Sequence, residues 1–318
     1  RVELVLALQQ LTVDRMATQL EASLATAGIT EVQLTVDGVP IAATPVQTRS
    51  TAVTGGPLVL TDEGFGFLPG SELTPIGGLS GAVVRSNPVA VQVGPDQESA
   101  AVRSADGSVA RADVTDDVVV LDTRSGLRDP VIDARGYVWS IPARSPAALT
   151  AFGPDIESPL LSQPWAAAGA TDVQAMSISR DGTRMAGVVR IGDRTELWLS
   201  GVIRDESDNR GVPARLGEPI VAGTISGEAV SMVWTDDVTV AVVTRSGTET
   251  EIVEQVVGGT SSTIAGPAGA SITTVATATS SIRLRSDDGG LYVRRGANWL
   301  QTTEGISLLA VQQGTPQQ

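Results

Sequence analysis

The chain lacks cysteine and histidine altogether, and it also lacks lysine, so that all 22 basic residues are arginine. Without cysteine there are no disulfides or thiolates, and without histidine there is no imidazole for acid–base catalysis or zinc binding. No apolar run reaches the roughly 18 residues that a membrane-spanning helix needs. These absences favour a non-catalytic protein, for which we expect no catalytic residues, no bound metal and no cofactor.

Negative charge dominates the residues that are present. The 36 acidic residues outnumber the basic ones and give a net charge of -14 at pH 7. Such a charge repels phosphate backbones and anionic lipid headgroups. We therefore expect no nucleic-acid partner. The 318 residues are enough for one large domain and a small one.

Residues 1–41 predict a small α+β piece of strand, helix and strand. Apolar residues recur every three or four positions between residues 13 and 27, which is typical of one buried helix face, and Gly28 is a favoured residue after a helix end. Residues 32–36 then alternate between apolar and polar side chains, as in a half-buried strand. Residues 42–56 are rich in Thr, Ser, Pro and Gly and are interpreted as a linker.

Beyond the linker, short apolar runs alternate with Gly, Pro, Asn and Asp, which is typical of β-strands and tight turns, and no further helix is predicted. One hairpin, over residues 173–189, has Asp181 and Gly182 at its turn. A third strand is predicted over residues 196–203 and a fourth over residues 213–220. Four such antiparallel strands make one blade of a β-propeller.

The hairpin pattern recurs along the chain at intervals close to the ~40 to 50 residues of a propeller blade. Turns that align with Asp181 lie near positions 96, 135, 236 and 278. Residues 306–311 form a strand without a blade, and residues 58–68 form a hairpin that lacks one strand. We expect the C-terminal strand to complete that sheet and to hide the free edges. The predicted fold is mainly β, with a six-bladed β-propeller over residues 57–318 and five or seven blades as alternatives.

Residues 179–186, Ser-Arg-Asp-Gly-Thr-Arg-Met-Ala, resemble the Ser-x-Asp-Gly-x-x-hydrophobic-Ala motif of TolB-type propellers. Together with the segments 32–38, 78–83 and 137–139, this motif gives nearly the whole chain a resemblance to the actinobacterial lipoprotein LpqB family. The resemblance implies that residues 1–41 are the C-terminal piece of a GerMN domain.

The resemblance also implies a location and a partner. Members of that family are held on the outer face of the cytoplasmic membrane by a lipidated cysteine, which here would lie upstream of Arg1. They bind the extracytoplasmic domain of the sensor histidine kinase MtrB and influence signalling to MtrA and upkeep of the cell envelope. By resemblance, the protein is an extracytoplasmic, lipid-anchored accessory of a two-component system.

The longest repeat unit contains the segment 204–215, and insertions of this kind often build the binding face of a repeat protein. The predicted partner-binding residues are Arg204, Asp205, Arg210 and Arg215. The alternative interpretation of the same charges is a solvated loop tip.

Two other functions remain open, a scaffold that binds wall polymer and a propeller glycoside hydrolase. The hydrolase requires two carboxylates about 5 to 9.5 Å apart that face the central channel. The pairs Asp236–Asp237 and Asp287–Asp288 could serve as acids or as calcium ligands, but their positions favour hairpin turns. The five tryptophans are expected to pack between neighbouring sheets.

Overall fold

The computed structural model describes residues 10–25, 32–36, 38–44, 53, 55–153, 164–205, 211–278 and 281–314. The chain divides into two compact units, one built on Arg1–Ser50 and the other on Thr51–Pro316. Strands make up 52% of the structure and helices 9%, so the predicted mainly β fold is confirmed. No helix among the described residues is both long enough and apolar enough to cross a membrane.

The first unit contains one helix and one short hairpin. These elements are α1 (Gln10–Ala25), β1 (Thr35–Val36) and β2 (Val39–Pro40). Val13 and Ala17 lie one turn apart on α1 and are buried, whereas Leu20 of the predicted apolar face is exposed. Asp14 ties the helix to the chain after the hairpin, because its carboxylate accepts a hydrogen bond of 2.9 Å from the Thr44 amide.

The second unit carries most of the strands together with two short helices, α2 (Leu79–Arg85) and α3 (Pro164–Ala167), and a 3₁₀ turn at Pro146–Ala148. Its strands are, in chain order, β3 (Leu58–Thr61), β4 (Gly64–Phe67), β5 (Pro88–Val93), β6 (Ser99–Ser104), β7 (Val109–Asp113), β8 (Val118–Asp122), β9 (Val131–Ile132), β10 (Val138–Ser140), β11 (Thr150–Phe152), β12 (Asp172–Ile178), β13 (Arg184–Ile191), β14 (Arg194–Asp205), β15 (Val212–Leu216), β16 (Ile220–Thr224), β17 (Glu228–Trp234), β18 (Thr239–Ser246), β19 (Glu249–Val256), β20 (Ser261–Ala265), β21 (Ile272–Ala278), β22 (Ser281–Ser286), β23 (Leu291–Arg295), β24 (Asn298–Thr303) and β25 (Leu308–Gln312).

The prediction of six separate blades is wrong. In the described part of the chain, hydrogen bonding groups the strands into four sheets of at least four strands, which is a four-blade arrangement. These sheets are β12–β16, β17–β20, β21–β24 and the seven-stranded β4-β3-β25-β5-β6-β7-β8, and a three-stranded sheet, β11-β10-β9, accompanies them.

The difference comes from pairing that the repeat spacing does not reveal. β25 pairs antiparallel with β3 on one edge and parallel with β5 on the other, which joins the first two predicted blades into one seven-stranded sheet. The third predicted blade has only three paired strands, since β9 and β10 are two and three residues long and offer little backbone for pairing.

The hairpin predicted over residues 173–189 is confirmed. β12 and β13 pair antiparallel from Asp172 opposite Arg190 to Ile178 opposite Met185, with one irregularity between Val173 and Ala175. They are joined through Asp181 and Gly182. The Gly182 amide donates to the Ser179 carbonyl at 2.8 Å, and Gly182 has a φ of 69°, a left-handed value that favours glycine. The predicted fourth strand, residues 213–220, is instead split into β15 and the start of β16.

Helix α2 was not predicted, because its seven residues are too few to show a helical period. Its buried side chains are Leu79, Ala82 and Val83, which join the core that the strands of the seven-stranded sheet build. The helix starts after Gly78, where a Cβ would lie 1.9 Å from the Val114 carbonyl oxygen. Only glycine fits this close approach, so α2 is fixed tightly against the sheet.

The tryptophans pack as predicted. Trp139, Trp165 and Trp198 are buried in one cluster that lies between the three-stranded sheet and β12–β16, with α3 supplying Trp165. Trp234 is buried in a second cluster, between the sheets β12–β16 and β17–β20. Trp299 is partly buried and donates from its indole nitrogen to the Ala265 carbonyl at 2.9 Å. The large aromatic side chains therefore fill the space between neighbouring sheets.

Candidate functional site

The predicted partner-binding segment lies on the long strand β14, which is twelve residues long. Residues 196–199 of this strand pair with β16, whereas residues 202–205 extend further and pair with β15. We call the paired residues 202–205 and 212–216 the arm. The sheet thus carries a two-stranded extension whose connecting residues, 206–210, lie outside the described residues.

Arg204 fixes the arm to the neighbouring three-stranded sheet. Its guanidinium lies 2.7 Å from the Asp133 carboxylate, and the exposed fractions of the two side chains are 10% and 0%. It also donates to the carbonyls of Gly211 at 3.0 Å and Gly182 at 3.1 Å. The same group lies 5.9 Å from the centre of the Tyr137 ring, a cation–π distance. Arg204 is therefore a largely buried positioning residue of the arm.

Asp133 is the acceptor around which this contact is built. One carboxylate oxygen accepts from the amides of Arg135 at 2.8 Å and Tyr137 at 3.0 Å. The other accepts from the Trp139 indole at 2.9 Å and from Arg204. A buried charge is tolerated when it is paired and fully hydrogen-bonded, and Asp133 meets both conditions. Sequence reasoning missed this residue, because it looks like any other turn aspartate.

The remaining predicted residues fall in different places. Asp205 and Arg215 are exposed on the arm, and Arg210 lies outside the described residues. The structure therefore brings Arg204, Asp205 and Arg215 onto one arm while giving Arg204 a buried role. Their part in partner binding stays a prediction.

Exposed aliphatic side chains accompany the arm. Ile220, at the start of β16, is 71% exposed, and both Val221 and Ile203 are exposed as well. Ile220 pairs with Leu199, which lies four residues before Ile203 on β14. Because side chains alternate along a strand, Ile220 and Ile203 project from the same face of the sheet. This face of the sheet therefore presents two exposed isoleucines.

The paired aspartates act in turns, as predicted. A carboxylate oxygen of Asp236 accepts from the amides of Val238 at 2.8 Å and Thr239 at 2.7 Å. Asp288 accepts from the Ser286 hydroxyl and from the Gly290 amide. The Ser286 hydrogen bond is the main reason why the pKa of Asp288 lies below its ordinary value. Among the described residues, no three acidic side chains come close enough together to hold a metal ion.

A cavity of about 310 Å³ is lined by strands β5, β12, β17 and β21, by β25, and by the chain just before and within β9. Arg103 of β6 also lines it. Two carboxylates, Asp129 and Glu228, are among its lining residues. Asp129 forms an ion pair of 2.6 Å with Arg103, so one of the two is already engaged.

One end of this cavity is closed by a chain of buried hydrogen bonds that we call the glutamine clasp. Gln92 donates from its side-chain amide to the Gln313 side-chain oxygen at 2.9 Å and accepts from the Ile132 amide at 3.0 Å. Gln313 donates in turn to the Ser179 carbonyl at 2.8 Å. The clasp joins the chain after β25 to three other segments. Its two glutamines lie 221 residues apart, so no local pattern could have predicted their contact.

Solved structures of other proteins share this fold. TolB from Acinetobacter baumannii has a similar structure, with a TM-score of 0.54 and 13% identity over 79% of this chain and 64% of the TolB chain. A chain of the nidogen/laminin complex gives a TM-score of 0.50 and 10% identity over 71% of this chain and 85% of that one. These identities are low, so the likeness concerns the fold alone.

The sequence comparison is more specific. A search of curated proteins gave no match. Residues 63–308, well over half of the chain, match the family described as the lipoprotein LpqB beta-propeller domain. The chain therefore belongs to the LpqB lipoprotein β-propeller family.

Proposed function

We propose that this protein is a non-catalytic interaction protein of the cell envelope. On this proposal it is held outside the cytoplasmic membrane by an upstream lipid anchor and binds the extracytoplasmic domain of a sensor histidine kinase of the MtrB type. Membership of a lipoprotein family supports the location. The kinase partner rests on the resemblance of the sequence to LpqB, and the structure supplies a surface suited to a protein partner.

The observation that carries the proposal is the exposed Ile220 beside the arm. A side chain of this kind is stabilised when a partner removes it from water, by about 25 cal/mol per Å² of apolar surface. Arg215 pairs with Ile203 across the arm, and Asp205 lies two residues further along β14, so charges of both signs border this exposed isoleucine. Protein interfaces commonly have a polar rim of this kind. Arg204 holds the arm in one position, which lowers the entropy lost on binding.

The test is binding of the purified extracytoplasmic kinase domain to the immobilised protein and to its Ile220→Ser variant. We expect the variant to bind roughly tenfold more weakly, because a central apolar contact of an interface contributes more than ~1 kcal/mol. Val120→Ser is the matched control, since Val120 is 55% exposed on β8, the edge strand of the seven-stranded sheet. Equal affinity of both variants, or no association of the unchanged protein, would refute the proposal.

A second variant tests the arm itself. Residues 206–210 are replaced by a short Gly/Ser turn, which leaves the Arg204–Asp133 contact in place. We expect weaker kinase binding with an unchanged thermal unfolding midpoint. Unchanged affinity would show that residues 206–210 are not needed for binding and would leave the adjoining strand β16 as the site.

The proposal includes residues 1–41 as the C-terminal piece of a GerMN domain. The family match begins at residue 63, so this assignment rests on the sequence resemblance alone. If residues 42–56 link two independent modules, limited proteolysis should cut within them first and leave a stable fragment that begins near residue 57. A first cut inside residues 57–314 would count against this division.

A further inference from the structure

The cavity of about 310 Å³ is a pocket that opens at one end. Along β5, exposure falls from Val89, which is nearly half exposed, to the buried Gln92. Along β17 it falls in the same way, from the exposed Glu228 to the buried Met232. The glutamine clasp closes the buried end through Gln92, which also lines the cavity. A ligand therefore enters at the end that carries Val89 and Glu228.

Two buried polar side chains that line this pocket, Gln174 and Ser177, each carry a hydrogen-bond donor that is not used by the described residues. Gln174 is 6% exposed, and its side-chain oxygen accepts from the Ala229 amide at 2.8 Å. Its amide nitrogen has no hydrogen-bond partner in the part of the chain that the structure describes. The hydroxyl of Ser177, which is 4% exposed, likewise has none among the described residues. Because both residues line the pocket, the amide nitrogen and the hydroxyl are placed to donate hydrogen bonds to a ligand that supplies acceptors.

The other lining residues restrict the chemistry of the ligand. The accessible surface of the pocket is more polar than apolar, and aliphatic residues along it, such as Met176, Met232 and Leu309, are buried in the cores between the sheets. Among the described residues that line the pocket there is no aromatic side chain, so they offer a sugar ring no stacking partner.

The charged lining residues include two arginines, and both already face carboxylates. Arg103 pairs with Asp129 at 2.6 Å, and Arg128 lies 3.6 Å from Asp172. A phosphate or sulfate would have to compete with these acids for the guanidinium groups. An uncharged ligand avoids this competition, and it also avoids the cost of burying a charge at the closed end.

We propose that this pocket binds an uncharged, amide-bearing ligand, of which a blocked alanine peptide is a simple example. A ligand carbonyl accepts from the Gln174 amide nitrogen, and a second acceptor meets the Ser177 hydroxyl. The volume lies at the lower end of the ~300 to 1,000 Å³ of small-ligand sites, which limits the bound part to a few residues. The pocket and the arm are formed by different residues, so this site is independent of the kinase proposal.

The experiment titrates the protein with N-acetyl-Ala-Ala-Ala-amide and follows binding by calorimetry and by amide chemical shifts. We expect saturable binding with a dissociation constant in the millimolar range or below. A peptide with a free carboxylate, and a neutral trisaccharide, serve as the competing ligand classes. Saturation by the trisaccharide with none by the blocked peptide would overturn the proposed ligand chemistry, and so would the absence of saturation by any probe.

Variants separate the pocket from the rest of the molecule. Gln174→Glu keeps an oxygen for the Ala229 amide but replaces the donor with an acceptor, and we expect at least tenfold weaker peptide binding. Gln301→Glu is the control, because Gln301 is exposed outside the pocket and the change adds the same charge. Ser177→Ala removes one donor without adding volume, and we expect roughly threefold weaker binding even if Gln174→Glu fails to fold.

Unchanged peptide affinity in Ser177→Ala and Gln174→Glu would refute the pocket as the site. The kinase proposal and the pocket proposal can be tested independently. We expect the affinity for the kinase domain to be the same with and without saturating peptide. Loss of kinase binding in Ile220→Ser with normal peptide binding would support the arm as the kinase site. Loss of peptide binding in Gln174→Glu with normal kinase binding would support the pocket as the peptide site.

Discussion

Two turns of similar backbone shape use their aspartates differently. The turn between β9 and β10 is closed by the Gly136 amide donating to the Asp133 carbonyl at 3.0 Å, and the turn between β12 and β13 by Gly182 donating to Ser179 at 2.8 Å. Both glycines have left-handed φ values, 78° and 69°. The local geometry is therefore shared, and the difference lies in where the carboxylate stands.

In the first turn the carboxylate belongs to Asp133, the residue whose carbonyl closes the turn, and it points into the protein toward Arg204. In the second turn that place is taken by Ser179, and the carboxylate of Asp181 accepts only from nearby groups such as the Thr183 amide at 3.0 Å. One aspartate joins two sheets and the other stabilises its own turn. The aspartate of the second turn stands two positions later than that of the first. This shift decides whether the carboxylate bonds within its own turn or to a residue of another sheet.

The largest expected effect comes from exchanging each aspartate for asparagine. Asp133→Asn leaves the Arg204 guanidinium buried without its counter-charge, and we expect a loss of about 3 to 5 kcal/mol in the free energy of unfolding. Asp181→Asn keeps an oxygen that accepts the turn hydrogen bonds, and we expect less than about 1 kcal/mol. Urea unfolding curves of both variants measure the difference. Equal losses would show that the two turns do not differ as described.

The next largest effect on the free energy of unfolding is expected from removing the positive charge of Arg204. In Arg204→Met the aliphatic part of the side chain is retained, and Asp133 keeps its three other donors. We therefore expect a smaller loss than for Asp133→Asn, about 2 kcal/mol. A double variant of both residues should lose less than the sum of the two single losses, because they share one interaction. Strict additivity in the same urea experiment would contradict a direct coupling.

The glycines should respond alike, since their geometry is shared. Gly136→Ala and Gly182→Ala each force a side chain into left-handed backbone, at a cost of about 1 kcal/mol in the free energy of unfolding. A Cβ at Gly136 meets no atom within 4 Å, and one at Gly182 comes no closer than 3.5 Å to another atom. Gly201→Ala on β14 is the control without left-handed strain. Thermal unfolding that separates the two turn variants clearly would disprove this equivalence.

The smallest effect concerns pH. Burial by itself raises the pKa of Asp181, but the hydrogen bonds from Ser179 and Thr183 and the nearby Arg184 together hold it below its ordinary value of 3.8. A carboxyl group whose pKa is lower in the folded state stabilises the protein above the unfolded-state pKa, and this contribution is lost as the pH falls through the folded-state value. Unfolding at pH values from 7 to 3 should show a shallower acid loss for Asp181→Asn than for the unchanged protein. Parallel curves would exclude a contribution from Asp181.

Sequence reasoning worked where a feature is local. The turn at Asp181 and Gly182, the turn role of Asp236 and the burial of most tryptophans follow from residue type and spacing. It failed where strands from distant parts of the chain meet. The six-blade count assumed that each repeat builds its own sheet, whereas β25 joins two predicted blades through its opposite edges.

The candidate site shows the same division. The charges of Arg204, Asp205 and Arg215 mark the segment from the sequence, but nothing in the sequence separates the buried Arg204 from the exposed Arg215. Their environments differ because Asp133, on another sheet, lies within 2.7 Å of one of them. The pocket was expected only as a channel, and the Gln92–Gln313 contact that closes it depends on residues at opposite ends of the second unit.

The sequence by itself determined the mainly β character of the chain, its recurring glycine turns and the absence of thiol and imidazole chemistry. These properties depend on side-chain type and on backbone preferences within a few residues. Only the tertiary structure decided how the strands group into sheets, which arginine is buried and where the pocket ends. Those outcomes depend on contacts between groups far apart in the chain, which are fixed when the whole core packs.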